Sequence, residues 1–298
     1  MLYLESFRIP TEEEENSYLL SYPYQLEMQC YSHENVYPYR LFPQKGLEEI
    51  SFDPITIFYG GNGSGKSTLI NVMAEKLGAV RFSEFNDAPL FGRFVELCHV
   101  EYAQKPRRSY VLTSDDVFDY VLNARSVNEA IDEKRNELFD RYVSVYREAV
   151  IHPEEGRLFG LDDYERWKET REILSPRHTQ SSYIKKRVAR DIDLYSNGET
   201  ALRYFIDRID EDAVYFLDEP ENSLSVEFQI QLLEYIAATA RATRSQFVIA
   251  THSPILLSME GARIYNLDEY PAAVCPWTEL PNVRRYFDFF MEHRNEFD

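Results

Sequence analysis

Nine residues at 60–68, GGNGSGKST, constrain this chain more than any others. They carry the pattern G-x-x-x-x-G-K-[ST], running from Gly60 through Gly65 and Lys66 to Ser67. Upstream, ITIFY at 55–59 is a short β-rich apolar run that ends at the glycines. Downstream, Leu69, Ile70, Met73 and Leu77 recur at helical spacing, and Gly78 supplies a stop. A glycine-rich turn between a strand and a helix lets backbone N–H groups converge on an anion. The helix start adds its positive end. In such a loop Lys66 reaches the β- and γ-phosphates of a nucleotide, and the Ser67 hydroxyl sits on Mg²⁺. The candidate ATP-binding residues are therefore Gly60, Gly61, Asn62, Gly63, Ser64, Gly65, Lys66, Ser67 and Thr68.

AVYFLDEPENSLS at 213–225 is an apolar strand ending in two carboxylates. Asp218, at its C-terminal end, is placed to hold the magnesium ion with Ser67. Glu219 points elsewhere by strand alternation and can orient an attacking water. Pro220 cannot continue a central strand and ends it. From 196 a helix, the strand AVYFL at 213–217, a helix and the strand QFVIA at 246–250 follow in order, and ARIYNL at 262–267 adds another strand. Strand and helix alternating in this way predict an α/β fold with a mainly parallel sheet flanked by helices. LYLESFRI at 2–9 opens an N-terminal β portion expected to be antiparallel, the four glutamates at 12–15 read as a solvated turn, and 91–118 reads as further strands. Residues 119–190 are charged and helical in pattern. The expected organisation is an N-terminal β region and phosphate-loop core at 1–118, a lid-like helical insertion at 119–190, and the second half of the same core at 191–298.

YSNGE at 195–199 places Ser196 and Glu199 as a capping box at the start of a helix, with Gly198 between them. A helix start with a serine hydroxyl and a glycine N–H is a second anion site. With this segment in place between the phosphate loop and the acidic strand, the chain resembles the ABC ATPase superfamily of P-loop NTPases. YSNGE is similar to that family's LSGGE signature, departing from it at Tyr195 and Asn197. The resemblance implies that Ser196 and Gly198 of one subunit close over the γ-phosphate held by another, in an ATP-dependent homodimer. It implies that SLS at 223–225 lines the dimer seam, and that His252, in ATHSP at 250–254, contacts the γ-phosphate. The family's glutamine before the helical subdomain is missing from YVLTSDDVF. Asp115 or Asp116 stands there, and Asp115 is preferred as a further metal-facing group. Tyr37, Tyr39 and Phe42 are candidates for an adenine-stacking aromatic. LDEPENSLS and FVIATHSPILLSMEGARIYNLDE resemble, more narrowly, bacterial stand-alone "AAA family" ATPases related to SMC and RecF heads. With Lys66, Glu219 and His252 as catalytic groups, the expected activity is ATP hydrolysis. The alternative is a slow ATP-gated switch that controls a partner protein.

The 298 residues, 44% of them hydrophobic, suffice for a large core. A formal net charge of −19 excludes a uniformly basic nucleic-acid-binding surface. The charge is uneven. Residues 119–190 hold as many basic as acidic side chains, and 171–190 gathers Arg171, Arg177, Lys185, Lys186, Arg187 and Arg190 against Glu172. That local patch permits nucleic acid as a partner beside a protein effector. No apolar run has the roughly 18–20 residues of a membrane helix, and MLYLESFRIP lacks the pattern of a secretory leader. A cytoplasmic location and no membrane partner are expected. Cys30, Cys98 and Cys275 form no CxxC pair, so neither a disulfide framework nor a zinc knuckle is expected.

Overall fold

Strand β3 (Ile55–Tyr59) is buried along its whole length and occupies the middle of a six-stranded sheet. In the computed structural model, which describes residues 2–20, 36–83, 85, 88, 90–151, 164–175, 180–189, 197–209 and 212–297, its neighbours are β7 (Gln246–Thr251) and β8 (Arg263–Asn266). Outside β7 lie β6 (Val214–Asp218) and then β5 (Ser109–Thr113). These five strands are parallel, and β9 (Ala273–Val274) closes the far edge antiparallel to β8. A second sheet is antiparallel. It holds β1 (Leu4–Arg8) between β2 (Glu49–Ser51) and β4 (His99–Tyr102). The mainly parallel α/β fold with an antiparallel N-terminal portion is thus the one the sequence predicts. Buried Gln246 ties the two sheets. Its amide oxygen accepts from the Tyr3 and Leu4 N–H groups, and its amide nitrogen donates to the Leu4 and Asp53 carbonyls.

Both faces of a parallel sheet must be covered, and alternate residues serve the two faces. Phe58, Phe216, Val248 and Ala250 join one core with Leu69, Ile70 and Met73 of α2 (Lys66–Leu77) and the inner face of the antiparallel sheet. Ile57, Tyr215, Leu217, Phe247 and Ile249 join the other, against α7 (Asn197–Arg208) and α8 (Val226–Ala242). Truncating a fully buried ring such as Phe216 to alanine costs about 3–5 kcal/mol in such a site.

Two expectations fail locally. The glutamates at 12–15 are not a solvated turn but the first residues of helix α1 (Glu12–Leu19). Thr11 and Glu14 form its capping box, and Glu15 is buried. Residues 91–97 are not a strand but helix α3 (Phe91–Leu97), which buries Phe91, Phe94 and Val95.

The described chain divides into two units, 1–119 with 196–298, and 120–195. The second is helical, from the part of α4 (Ser114–Ile151) beyond Asp119, α5 (Tyr164–Leu174) and α6 (Gln180–Lys185). Its small core is Leu138, Ile173 and Tyr183. Glu169 braces it, accepting from the Tyr183 hydroxyl at 2.5 Å and from Arg141 at 2.7 Å. Two short helices, α9 (Pro254–Leu257) and α10 (Pro281–Glu292), complete the first unit. Among the described residues no helix is long and apolar enough to cross a membrane.

Candidate active site

Parallel strands in register bring their C-terminal ends to one edge. Tyr59 stands opposite Thr251, and Asp218 lies between Thr113 and Ala250. The segments that follow β3, β5, β6 and β7 therefore emerge side by side, where open α/β sheets bind ligands. The loop after β3 is the glycine cradle. Gly65 adopts φ +95°, a left-handed conformation that costs side-chain-bearing residues energy. A Cβ on Gly60 would lie 2.4 Å from the Ser64 hydroxyl oxygen. Helix α2 starts at Lys66, and the first N–H groups of a helix have no intrahelical partner. Asp268, which follows β8, braces the cradle by accepting the Gly61 N–H with both carboxylate oxygens, at 3.0 and 2.9 Å.

Lys66 is buried, and its ammonium donates to the Gly60 and Gly61 carbonyls at 2.7 and 3.1 Å. It also lies 3.5 Å from a carboxylate oxygen of Glu219. The Ser67 hydroxyl donates to Asp218 at 3.0 Å, so the residues expected to share a metal already touch. Burial pushes the Asp218 carboxyl up to about 6; the Ser67 hydrogen bond opposes this and the neighbouring Glu219 charge adds to it. Glu219 departs from Asp218 for a different reason than strand alternation. It lies beyond the strand in the left-handed region, at φ +46° and ψ +50°. Its N–H donates to the Ala250 carbonyl at 2.9 Å, and Asn222 donates to its carboxylate at 2.9 Å. A non-glycine residue held there stores on the order of 1–2 kcal/mol, which the surrounding bonds sustain.

The His252 ring nitrogen Nδ1 stands 4.0 Å from Glu219 and 3.2 Å from Glu221. Glu221 was not among the expected site residues. It is buried, and one of its oxygens accepts from the Thr251 hydroxyl at 2.6 Å and from the His252 N–H at 2.8 Å. The available signal was a third acid two residues past Glu219 in LDEPE. Asp268 offered no comparable signal.

Asp115, the preferred group after β5, is exposed in the first turn of α4. Asp116 turns inward instead, because it caps the helix. It accepts the Thr113 N–H at 2.7 Å, and its own N–H donates to the Thr113 hydroxyl at 3.1 Å. Of the three aromatic candidates, Tyr39 and Phe42 are core residues. Tyr37 is 40% exposed and shares a 2.7 Å hydrogen bond with Thr68 of the phosphate loop. Ser196 lies outside the described residues. Gly198 sits in the first turn of α7, where a Cβ would meet the Phe228 ring at 2.8 Å. Close packing of α7 on α8 is thus sufficient reason for a glycine at that position. Cys30 also lies outside the described residues, and burial pushes the Cys98 thiol up to about 12, far from a reactive thiolate.

The sheet order, the glycine cradle and the paired Ser67 and Asp218 define an ABC-like P-loop ATPase domain. The chain belongs to the family described as "AAA domain, putative AbiEii toxin, Type IV TA system", whose model matches residues 107–258. It is 24% identical over 257 residues to an uncharacterized ABC transporter ATP-binding protein/permease of Saccharomyces cerevisiae, covering 80% of this chain and 18% of that protein. The chain therefore spans under a fifth of that curated relative's length. Among solved structures it is similar to the Smc head domain of Pyrococcus furiosus, crystallised with an extended coiled coil and bound to the C-terminal domain of ScpA. The identity is 12%, over 99% of this chain and 100% of that one, with a TM-score of 0.41. It is also similar to the SMC head domain of Thermotoga maritima, at 14% identity over 76% of this chain and 92% of that one, with a TM-score of 0.32.

Proposed function

We propose that this chain binds ATP with magnesium and hydrolyses it at a two-fold seam between two copies of itself. The observation that carries the reading is the meeting of Lys66, Ser67, Asp218, Glu219 and His252 at one sheet edge, within 3.0 to 4.0 Å along the chain of contacts. The donor set suits a small hard cation, since a hydroxyl and a carboxylate oxygen stand together at the start of a phosphate-binding helix. Magnesium held by Ser67 and Asp218 would neutralise charge on the β- and γ-phosphate oxygens.

The remaining roles belong to the chain. Lys66 exchanges the Gly60 and Gly61 carbonyls for phosphate oxygens. The N–H groups of the cradle and of the first turn of α2 take the β-phosphate. Tyr37, exposed beside Thr68, offers its ring to the adenine. Glu219, turned out of its strand and held through one carboxylate oxygen by Asn222, orients the attacking water with the other. His252, braced by Glu221, supports the charge that develops on the γ-phosphate. Ser196 and Gly198 of the second copy close the site. Nucleotide state is then communicated through the seam to a partner, a protein effector before a nucleic acid.

The test is Glu219→Gln. Steady-state ATP turnover is expected to fall by about 100-fold or more, and an ATP-dependent dimer to accumulate in size-exclusion chromatography with light scattering. Unchanged turnover would remove Glu219 from the mechanism and with it the proposed arrangement.

A further inference from the structure

Helix α10 is anchored at its start and bare beyond it. Leu280 and Val283 are buried in the core, and the Asn282 N–H donates to the Tyr59 hydroxyl at 3.2 Å. From Arg284 to Met291 every residue is exposed. Yet Tyr286, Phe287, Phe289, Phe290 and Met291 stand between 49% and 54% exposed. At about 100° per residue they cover roughly 200° of the helix circumference. Among the described residues the ring of Phe289 meets those of Phe290 and His293, and Phe290 continues the aromatic stripe to Phe297. An isolated helix of this length is marginal in water, and an apolar face this wide asks to be covered.

The occupant is indicated by charge and area. Arg285 and Glu292 are seven residues apart and share one edge of the helix. Neither has an ion-pair partner among the described residues. When two copies of α10 lie antiparallel, each Arg285 meets the other's Glu292; in a parallel pair about a two-fold axis these edges fall on opposite sides of the seam and do not meet. An edge that carries one sign at each end is complementary to itself under a two-fold axis. Residues 284–292 are also locally neutral, with two arginines against Asp288 and Glu292, on a chain of net charge −19. Two such acidic chains repel least where they meet at a neutral surface. Half-exposed aromatic side chains offer roughly 100 Å² each, so the six residues through Phe297 bury on the order of 1,200 Å² in a pair. That is the lower bound of a specific interface.

We propose that α10 is a self-association helix, packing antiparallel against α10 of a second copy without any nucleotide. This contact is separate from the ATP-dependent seam, and neither depends on the other. The full chain, free of ATP and magnesium, is expected to be a dimer at micromolar concentration in analytical ultracentrifugation. Phe287→Ser with Phe290→Ser should give a monomer with an unaltered far-ultraviolet circular-dichroism spectrum and a melt lowered by no more than the lost association. Arg285→Glu and Glu292→Arg should each weaken the dimer by about tenfold or more. Mixing those two single variants should restore a heterodimer near wild-type strength, because each repelling edge then meets its opposite. Lys66→Ala should keep this dimer while abolishing ATP-driven association, which separates the two interfaces. A monomeric wild type, a dimer that survives the double serine variant, or a mixture that fails to pair would each overturn the assignment. Capture of some other protein by a monomeric chain would do so as well.

Discussion

Glu221 serves His252 by position rather than by chemistry, and this makes it separable from its neighbours. One of its oxygens holds both the Thr251 hydroxyl and the His252 N–H. Replacing it by alanine strands two donors in a buried place, at about 1–3 kcal/mol for each. Glu221→Ala should therefore lower thermal stability and ATP turnover together. Glu221→Gln keeps an acceptor oxygen and should recover most of the stability. His252→Ala should cost turnover with little loss of stability, since its ring is partly exposed. A Glu221→Ala protein that melts like wild type would show that the bonds to Thr251 and His252 carry no weight. The phosphate loop and the two carboxylates were legible in the sequence because their chemistry demands fixed types at fixed spacing. Glu221 and Asp268 were not, because a bracing carboxylate can come from any nearby segment. Asp115 was preferred over Asp116 for lack of one fact, the capping of α4, which decides which carboxylate turns inward.

At the scale of elements, α1 illustrates how a local signal can be present and outvoted. Thr11 and Glu14 spell a capping box, but four consecutive glutamates suggest solvent. The helix forms, and its amphipathic twist carries Glu15 inward, where the Arg40 N–H donates to it at 2.6 Å. Its other oxygen is buried without a partner among the described residues. Burial pushes the Glu15 carboxyl up to about 7 from an ordinary value of 4.5, with the Arg40 hydrogen bond opposing the shift. The folded chain then binds more protons at this group than the unfolded chain between those two values. The group's contribution to stability falls as pH rises through that window. Glu15→Gln removes the dependence. The stability of the variant relative to wild type should increase from pH 5 to pH 8 by on the order of 2 kcal/mol. Parallel urea titrations at the two pH values would measure it, and identical slopes would place Glu15 in water. Helix α3 was missed for the complementary reason. FGRFVEL suits a strand by composition, and only packing of Phe91, Phe94 and Val95 into one core selects the helical period.

Over the whole molecule, charge decides which partners are admissible. The basic segment at 171–190 suggested nucleic acid, but the structure spends part of it internally. Arg187 is paired with Glu172 at 2.7 Å and lies over the Tyr183 ring, and Arg171 lies over Trp167. Arg177 and Arg190 lie outside the described residues. Lys185 and Lys186 are exposed on the same segment. Each phosphate contact contributes through counterion release, so binding that rests on phosphate contacts weakens steeply as salt rises. Among the described residues of 171–190 there are four basic side chains, Arg171, Lys185, Lys186 and Arg187, on a chain of net charge −19. Fluorescence anisotropy with a duplex should detect binding only at low salt, and Lys185→Ala with Lys186→Ala should abolish it. Arg187 is best left intact in that experiment, because its loss would also unpair Glu172 within the helical unit. Binding that persists at 150 mM salt and ignores both lysine substitutions would mean that a different surface reads nucleic acid. Its absence would leave a protein effector as the partner through which the proposed ATP cycle acts.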